Sequence, residues 1–61
     1  MKLVELEKHL RKHGCTKKRE GGNHTLWENK ENRKISPVPR HREIKDLLAQ
    51  KICKQLEISM C

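Results

Sequence analysis

The stretch that decides the fold is residues 15–28, CTKKREGGNHTLWE, in which two short segments flank a pair of glycines. Residues 15–20 are a weak strand candidate on composition, whereas residues 24–28 contain the Thr and Trp that strands favour. Gly21 and Gly22 between the two segments allow a tight turn. The stretch therefore predicts a β-hairpin.

A helical pattern precedes the hairpin. Leu3, Leu6 and Leu10 recur at i, i+3 and i+7 among charged residues, which predicts an amphipathic helix over residues 2–13. Gly14 then stands where a left-handed C-cap is expected to end that helix.

A third strand and a second helix follow the hairpin. Residues 34–38 are the third strand candidate, and Pro37 and Pro39, which lack backbone donors, predict that this strand lies at a sheet edge. A second helix is expected from about His41. Its predicted apolar stripe consists of Ile44, Leu47, Leu48, Ile52 and Leu56.

The predicted order of helix, three strands and helix indicates an α+β protein with α-β-β-β-α topology. A three-stranded antiparallel sheet would bury one face beneath two helices. The 61 residues make a single domain, residues 1–61, with a fraying tail at residues 57–61. A chain of this length buries only about 60% of its unfolded surface, so its core should be thin.

Charge and composition limit the classes of function. The formal net charge is +7, which favours a polyanionic or acidic partner such as RNA. Acidic residues interrupt the first apolar residues, so we expect no signal peptide. No run approaches the roughly 18 apolar residues that a membrane span needs, and we expect a cytoplasmic protein. Three cysteines without CxxC spacing predict neither a disulfide framework nor a zinc knuckle.

His24 directly follows the glycine turn and is the candidate for proton transfer. It would take a proton from a ribose 2′-OH or deliver one to the leaving 5′-oxygen, a contribution typically worth about 10²–10⁴ in rate. The alternative is a partly exposed strand histidine with no role. Strand alternation groups His24 with Leu26 and opposes it to Thr25 and Trp27, but the sequence leaves open which pair faces the helices.

Basic residues lie on both sides of His24 in the sequence: Lys17, Lys18 and Arg19 before the glycine turn, and Arg40 and Arg42 around His41. If the hairpin and the end of the third strand meet, these five cations would surround His24 and bind phosphates. The Arg19 guanidinium could also stabilise a pentavalent phosphorane, because a guanidinium pairs with phosphate bidentately. A solvated basic surface is the alternative. His41 is either a second acid/base group or simply a residue at the start of a helix.

Three other features have a structural and a functional interpretation. His9 and His13, at i and i+4, could share a metal ion, but no third ligand accompanies them, so a solvated helix face is favoured. A composite zinc site would need Cys15, Cys53 and Cys61 together. Trp27 is either a platform for base stacking or the central packing group, and core packing is favoured.

The run Gly21-Gly22-Asn23-His24, followed by Val38-Pro39-Arg40-His41 ahead of the second helix, resembles the HicA toxins. The resemblance extends from Leu3 to Leu56. It implies a fold related to double-stranded-RNA-binding domains and translation-independent mRNA interferase activity. It also implies silencing by a HicB antitoxin that covers the catalytic region, and it assigns the family's catalytic histidine to His24.

The leading hypothesis is a metal-independent endoribonuclease toxin that cleaves mRNA and uses no cofactor. Its catalytic residue would be His24, and its RNA-binding residues would be Lys17, Lys18, Arg19, Gly22, Asn23, Arg40 and His41. The expected partner is an acidic HicB-type antitoxin that masks the active site, with oligomerisation mainly through that antitoxin. The alternatives are a non-catalytic RNA-binding module of the same fold and a small zinc-binding or partner-docking protein.

Overall fold

The computed structural model describes residues 1–60 and confirms the predicted α-β-β-β-α order. Its elements are α1 (Leu3–Lys12), β1 (Cys15–Glu20), β2 (His24–Asn29), β3 (Ile35–Pro39) and α2 (Asp46–Gln55). The three strands form one antiparallel sheet in the order β1-β2-β3. The strand that contains the two prolines therefore lies at a sheet edge, as their missing backbone donors predict.

The β1–β2 hairpin has an irregular register. Lys17 lies opposite Trp27 and Arg19 lies opposite Leu26, so Lys18 is an extra residue in β1. An extra residue bends the strand and re-aims the side chains around it. The second pairing, between β2 and β3, is regular and places His24 opposite Pro39.

The core lies between the sheet and the two helices. Thr25 and Trp27 of β2 are buried, and the Trp27 side chain is fully enclosed. The buried apolar residues form one cluster that joins α1, all three strands and α2: Leu6, Leu10, Cys15, Trp27, Val38, Ile44, Ala49, Ile52, Cys53 and Leu56. The predicted packing role of Trp27 is confirmed, and its burial removes it as a platform for base stacking.

The end of α1 agrees with its prediction. Gly14 follows the C-cap residue His13 and has φ of 81°, a left-handed conformation that glycine adopts without a steric penalty. The Gly14 backbone N–H donates to the carbonyl of Arg11 at 3.1 Å.

The predicted start of the second helix at about His41 is wrong, because α2 begins at Asp46. Residues 42–44 instead run beside the first residues of the chain. The Leu3 N–H donates to the Arg42 carbonyl at 2.9 Å, and the Ile44 N–H donates to the Met1 carbonyl at 2.7 Å. These hydrogen bonds hold the segment extended and delay the helix.

The predicted apolar stripe of α2 is only partly confirmed, because three of its five residues are buried and two are exposed. Ile52 and Leu56 are buried, but Leu47 is 74% exposed and Leu48 is 36% exposed. Ile44 is buried from its position ahead of the helix. The helix instead buries the small residues Ala49 and Cys53 beside Ile52.

Two further points concern membrane spanning and the third cysteine. Within residues 1–60, neither helix has the length and apolar character needed to cross a bilayer. Cys61, one of the three cysteines considered for a zinc site, lies outside the described residues.

Candidate functional site

His24 lies on the face of the sheet that the helices leave uncovered. Its neighbour Thr25 points into the core, so strand alternation directs the His24 side chain to the opposite face, together with the half-buried Leu26. The His24 residue is exposed. The face that the sequence left undecided is therefore the open one, where a large ligand has access to the imidazole.

The turn before His24 is held by Arg40, the first residue after β3. The Arg40 backbone N–H donates to the Asn23 carbonyl at 3.0 Å, and its guanidinium donates to the carbonyl of Gly22. The same guanidinium lies 3.6 Å from a carboxylate oxygen of Glu20. Gly21 N–H donates to the His24 carbonyl at 2.8 Å and closes the hairpin.

Two of the three lysine and arginine residues before the turn share the face of His24. Arg19 lies opposite Leu26, so its side chain is on the open face. The extra residue Lys18 extends to the same face, where its Nζ lies 3.7 Å from the Glu28 carboxylate. The side chains of these two cations and of His24 therefore lie on the same open face of the sheet.

Lys17 lies on the opposite face, beneath the helices. It is opposite Trp27 in the register, its Nζ is 3.9 Å from the Glu7 carboxylate of α1, and it lies 6.0 Å from the centre of the Trp27 ring. The Arg11 guanidinium lies 5.3 Å from the same ring. The position of Lys17 supports packing around the tryptophan rather than contact with a ligand at His24.

The residues after β3 divide between the two sides of the molecule. Arg40 is at the glycine turn, whereas Arg42 lines a cavity beside the start of α1 together with Leu3, Val4 and Glu7. His41 is exposed and follows two residues after Pro39, which lies opposite His24. The structure thus brings Arg40 and His41 to the end of the sheet that carries His24 and directs Arg42 towards α1.

A second group of cations on the open face combines Lys18, which belongs to the sequence-based site, with Lys30 and Arg33, which do not. The Glu28 side chain is only 7% exposed, although it is on the open face, because three cations enclose it. Its carboxylate lies 3.3 Å from Lys30, 3.7 Å from Lys18 and 3.8 Å from Arg33. The extra residue in β1 and the shape of the β2–β3 turn bring these groups together, and neither feature is visible in residue spacing.

The cations determine the ionisation of Glu28. A hydrogen bond from Lys30 is the main cause that lowers the pKa of Glu28 below its ordinary value of 4.5, and the charges of Lys18 and Arg33 lower that pKa further. Burial opposes the shift by raising the pKa, but it is the smaller effect. Glu28 is therefore a carboxylate at neutral pH, and with its three partners the cluster carries a net charge of about +2.

Each histidine of the pair on α1 hydrogen-bonds to a backbone carbonyl through one ring nitrogen. The His9 Nε2–H donates to the Ser59 carbonyl at 2.7 Å, and the His13 Nδ1–H donates to the His9 carbonyl at 3.0 Å. Because a carbonyl only accepts hydrogen bonds, these two ring nitrogens carry protons, which leaves one nitrogen of each neutral ring with a lone pair. Throughout residues 1–60, no group of three or more His, Cys, Asp or Glu side chains is arranged to hold a metal ion.

Comparison with known proteins gives one family match. Residues 4–58 match the family model described as the HicA toxin of bacterial toxin–antitoxin systems. No curated protein and no solved structure matches the chain significantly. The match covers all five secondary-structure elements except the first residue of α1. The chain therefore belongs to the HicA family of bacterial toxins.

Proposed function

We propose that this HicA-family toxin is an endoribonuclease that cleaves mRNA and that His24 performs the proton transfer. The observation that carries the proposal is the exposed His24 on the helix-free face of the sheet, beside a turn fixed by Arg40. Arg19 shares that face and would hold a phosphate next to the scissile bond, whereas Lys18, on the same face with its Nζ beside Glu28, would hold a phosphate further along the RNA.

The reaction is an attack of a ribose 2′-oxygen on the adjacent phosphorus. His24 accepts the proton of the 2′-hydroxyl as the new P–O2′ bond forms. The bond between phosphorus and the 5′-oxygen breaks, and that oxygen takes a proton from water or from His41. The products are a 2′,3′-cyclic phosphate and a free 5′-hydroxyl. Arg19 is the guanidinium suited to the extra negative charge of the pentavalent phosphorane.

The glycine turn supplies the remaining contacts to RNA. The exposed backbone of Gly22 and the amide of Asn23 lie next to His24 and would bind phosphate or ribose oxygens. Arg40 would contribute through its hold on this turn and through those guanidinium donors that Gly22 does not use.

This chemistry needs no metal ion, because an imidazole transfers the proton and cations of the protein bear the phosphate charge. Cleavage should therefore continue at an unchanged rate in excess chelator. Loss of cleavage in chelator, with recovery on addition of a divalent cation, would replace this mechanism with a metal-assisted one.

The expected inhibitor is an acidic HicB-type antitoxin that masks the active site in the cytoplasm, where mRNA is found. A protein of opposite charge would cover the open face and keep RNA from His24. Binding only to the folded toxin would also stabilise this small domain by mass action. We expect oligomerisation to occur mainly through the antitoxin.

The runner-up function is an RNA-binding module without catalysis. It draws on one observation: within residues 1–60, no group hydrogen-bonds to the His24 ring and fixes its orientation. The substitution His24→Ala separates the two functions. The enzyme hypothesis expects cleavage to be lost while RNA affinity is retained; undiminished cleavage by the variant would remove the catalytic role of His24.

The ends of the cleaved RNA test the reaction itself. Attack by the 2′-hydroxyl leaves a 2′,3′-cyclic phosphate, which mass spectrometry of the fragments detects directly. New 3′ ends with free hydroxyls would contradict the proposed chemistry, whichever residue is responsible.

A further inference from the structure

We propose that Lys30 and Arg33 form a second phosphate-binding subsite, centred on Glu28, at the end of the open face away from the glycine turn. This inference rests on the proposed function, because it assigns to the subsite the backbone of the same RNA. Lys30 and Arg33 were not among the sequence-based candidates, and both lie in the turn between β2 and β3.

The cluster has more positive charge than its carboxylate neutralises. Lys30 pairs with one oxygen of Glu28, while Lys18 and Arg33 share the other. Among residues 1–60, three cations around a single carboxylate leave most of their N–H donors without a protein acceptor, since an ammonium has three donors and a guanidinium five. The three cationic side chains remain about half exposed or more, so those donors are accessible to an anion.

The backbone fixes where these cations lie. Arg33 has φ of 63°, a left-handed conformation that arginine rarely adopts, and its N–H donates to the Asn29 carbonyl at 2.8 Å. Asn29 also receives the Glu31 N–H at 3.0 Å on its side-chain oxygen. Its amide donates to the carbonyl of Leu56 at 2.9 Å, which ties the turn to the end of α2. The turn is therefore held in a conformation that arginine would not favour by itself.

Glu28 organises the cluster rather than cancelling it. As a nearly buried carboxylate, it attracts the three cations to one place on the sheet. Without it, their mutual repulsion would spread them into solvent. We therefore assign Glu28 as a positioning residue and Lys30 and Arg33 as the groups that contact phosphate.

The position of the cluster fits a strand of RNA that also reaches His24. His24 and Glu28 both belong to β2 and are four positions apart, so their side chains share the open face. At about 3.3 Å per residue, they lie roughly 13 Å apart along the strand. An RNA strand with its scissile phosphate at His24 that follows β2 would bring another of its phosphates to the cluster.

The test is the salt dependence of binding to an RNA that is not cleaved by 2′-hydroxyl attack. A 2′-O-methyl oligonucleotide long enough to cover both sites and a 2′-O-methyl trinucleotide are titrated with the native toxin by fluorescence anisotropy. The variants are Lys30→Gln, Arg33→Asn and their double substitution. Asparagine is chosen because it tolerates the left-handed backbone of residue 33. Lys51→Gln on α2 is the control with the same charge change, and thermal unfolding verifies that each variant is folded.

For the long oligonucleotide, each lost phosphate contact should reduce the slope of log K against log salt by about 0.7. When salt is raised from about 50 to 200 mM, the ratio of native to variant affinity should therefore fall roughly 2.6-fold for each lost contact. The trinucleotide should bind native toxin and variants equally, and Lys51→Gln should leave the slope unchanged.

Three results would overturn the subsite. One is an unchanged slope for the double variant, and another is an equal loss with the trinucleotide or with Lys51→Gln. The third is unchanged RNA binding combined with weaker binding to an acidic HicB-type antitoxin, which would assign the cluster to the protein partner. Because the assay needs no cleavage, it stands even if His24→Ala proves active, so the two proposals fail separately.

Discussion

Replacing Leu56 with alanine should destabilise the domain far more than replacing Leu47, although the two leucines belong to one apolar pattern in the sequence. Leu56 is fully buried, whereas Leu47 is 74% exposed. The same substitution at the two positions therefore compares burial alone. Both backbones are kept, including the Leu56 carbonyl that accepts a hydrogen bond from the Asn29 amide.

The expected loss of stability follows from the three side-chain carbons of leucine that alanine lacks. At about 0.8 kcal/mol per buried carbon, Leu56→Ala costs roughly 2.4 kcal/mol, and an unfilled cavity raises the cost towards 5 kcal/mol. Leu47→Ala should change stability by less than about 0.5 kcal/mol. A domain of this length has a total free energy of unfolding of about 3–9 kcal/mol, so the buried substitution removes a large part of it.

Urea unfolding provides the assay, because the single tryptophan, Trp27, is fully buried and reports loss of the core by fluorescence. With a slope of about 1 kcal/mol per molar urea, Leu56→Ala should lower the midpoint by roughly 2 M, and Leu47→Ala should barely change it. Equal destabilisation by the two substitutions would refute the placement of α2 on the sheet.

Three further predictions concern backbone, charge and thiol. Gly14→Ala should lower the free energy of unfolding by about 1–2 kcal/mol, because residue 14 has φ of 81°. Gly22→Ala should leave stability nearly unchanged in the same urea assay, because residue 22 has no positive φ and no atom within 4 Å of an added Cβ. The lowered pKa of Glu28 stabilises the folded state above pH 4.5, the ordinary pKa value, and this stability is lost as pH falls through the lower pKa of the folded state. Urea titrations at several pH values should show that Glu28→Gln flattens this fall of the unfolding free energy in acid. An unchanged pH profile would contradict the prediction. Burial raises the pKa of the Cys15 thiol, so iodoacetamide should label Cys15 slowly in the native toxin and quickly in urea, as followed by peptide mass spectrometry; fast native labelling would contradict its burial.

The sequence predicts those parts of the fold that depend on local pattern. Alternation around Trp27, the leucine spacing of α1 and the C-cap at Gly14 all agree with the structure, because each depends on a few adjacent residues. The prolines of β3 correctly indicate an edge strand, since a missing donor is a local property.

The remaining features depend on contacts between distant segments. Residues 42–44 stay extended because they pair with the first residues of the chain, and no local signal distinguishes them from the start of a helix. Lys17 and Lys18 are neighbours with similar chemistry, but the irregular register of β1 sends them to opposite faces of the sheet. Lys30 and Arg33 reach Glu28 because the turn between β2 and β3 folds back on Asn29, which residue spacing does not reveal, so the sequence-based site did not include them.

The most direct test of the central claim is the single-turnover rate of RNA cleavage at saturating toxin, where differences in binding no longer contribute. His24→Ala should reduce this rate by about 10²–10⁴, while the control His13→Ala on α1 should retain it. If the His24→Ala toxin cleaves within a few-fold of the native rate, His24 does not transfer the proton and the proposed mechanism is wrong.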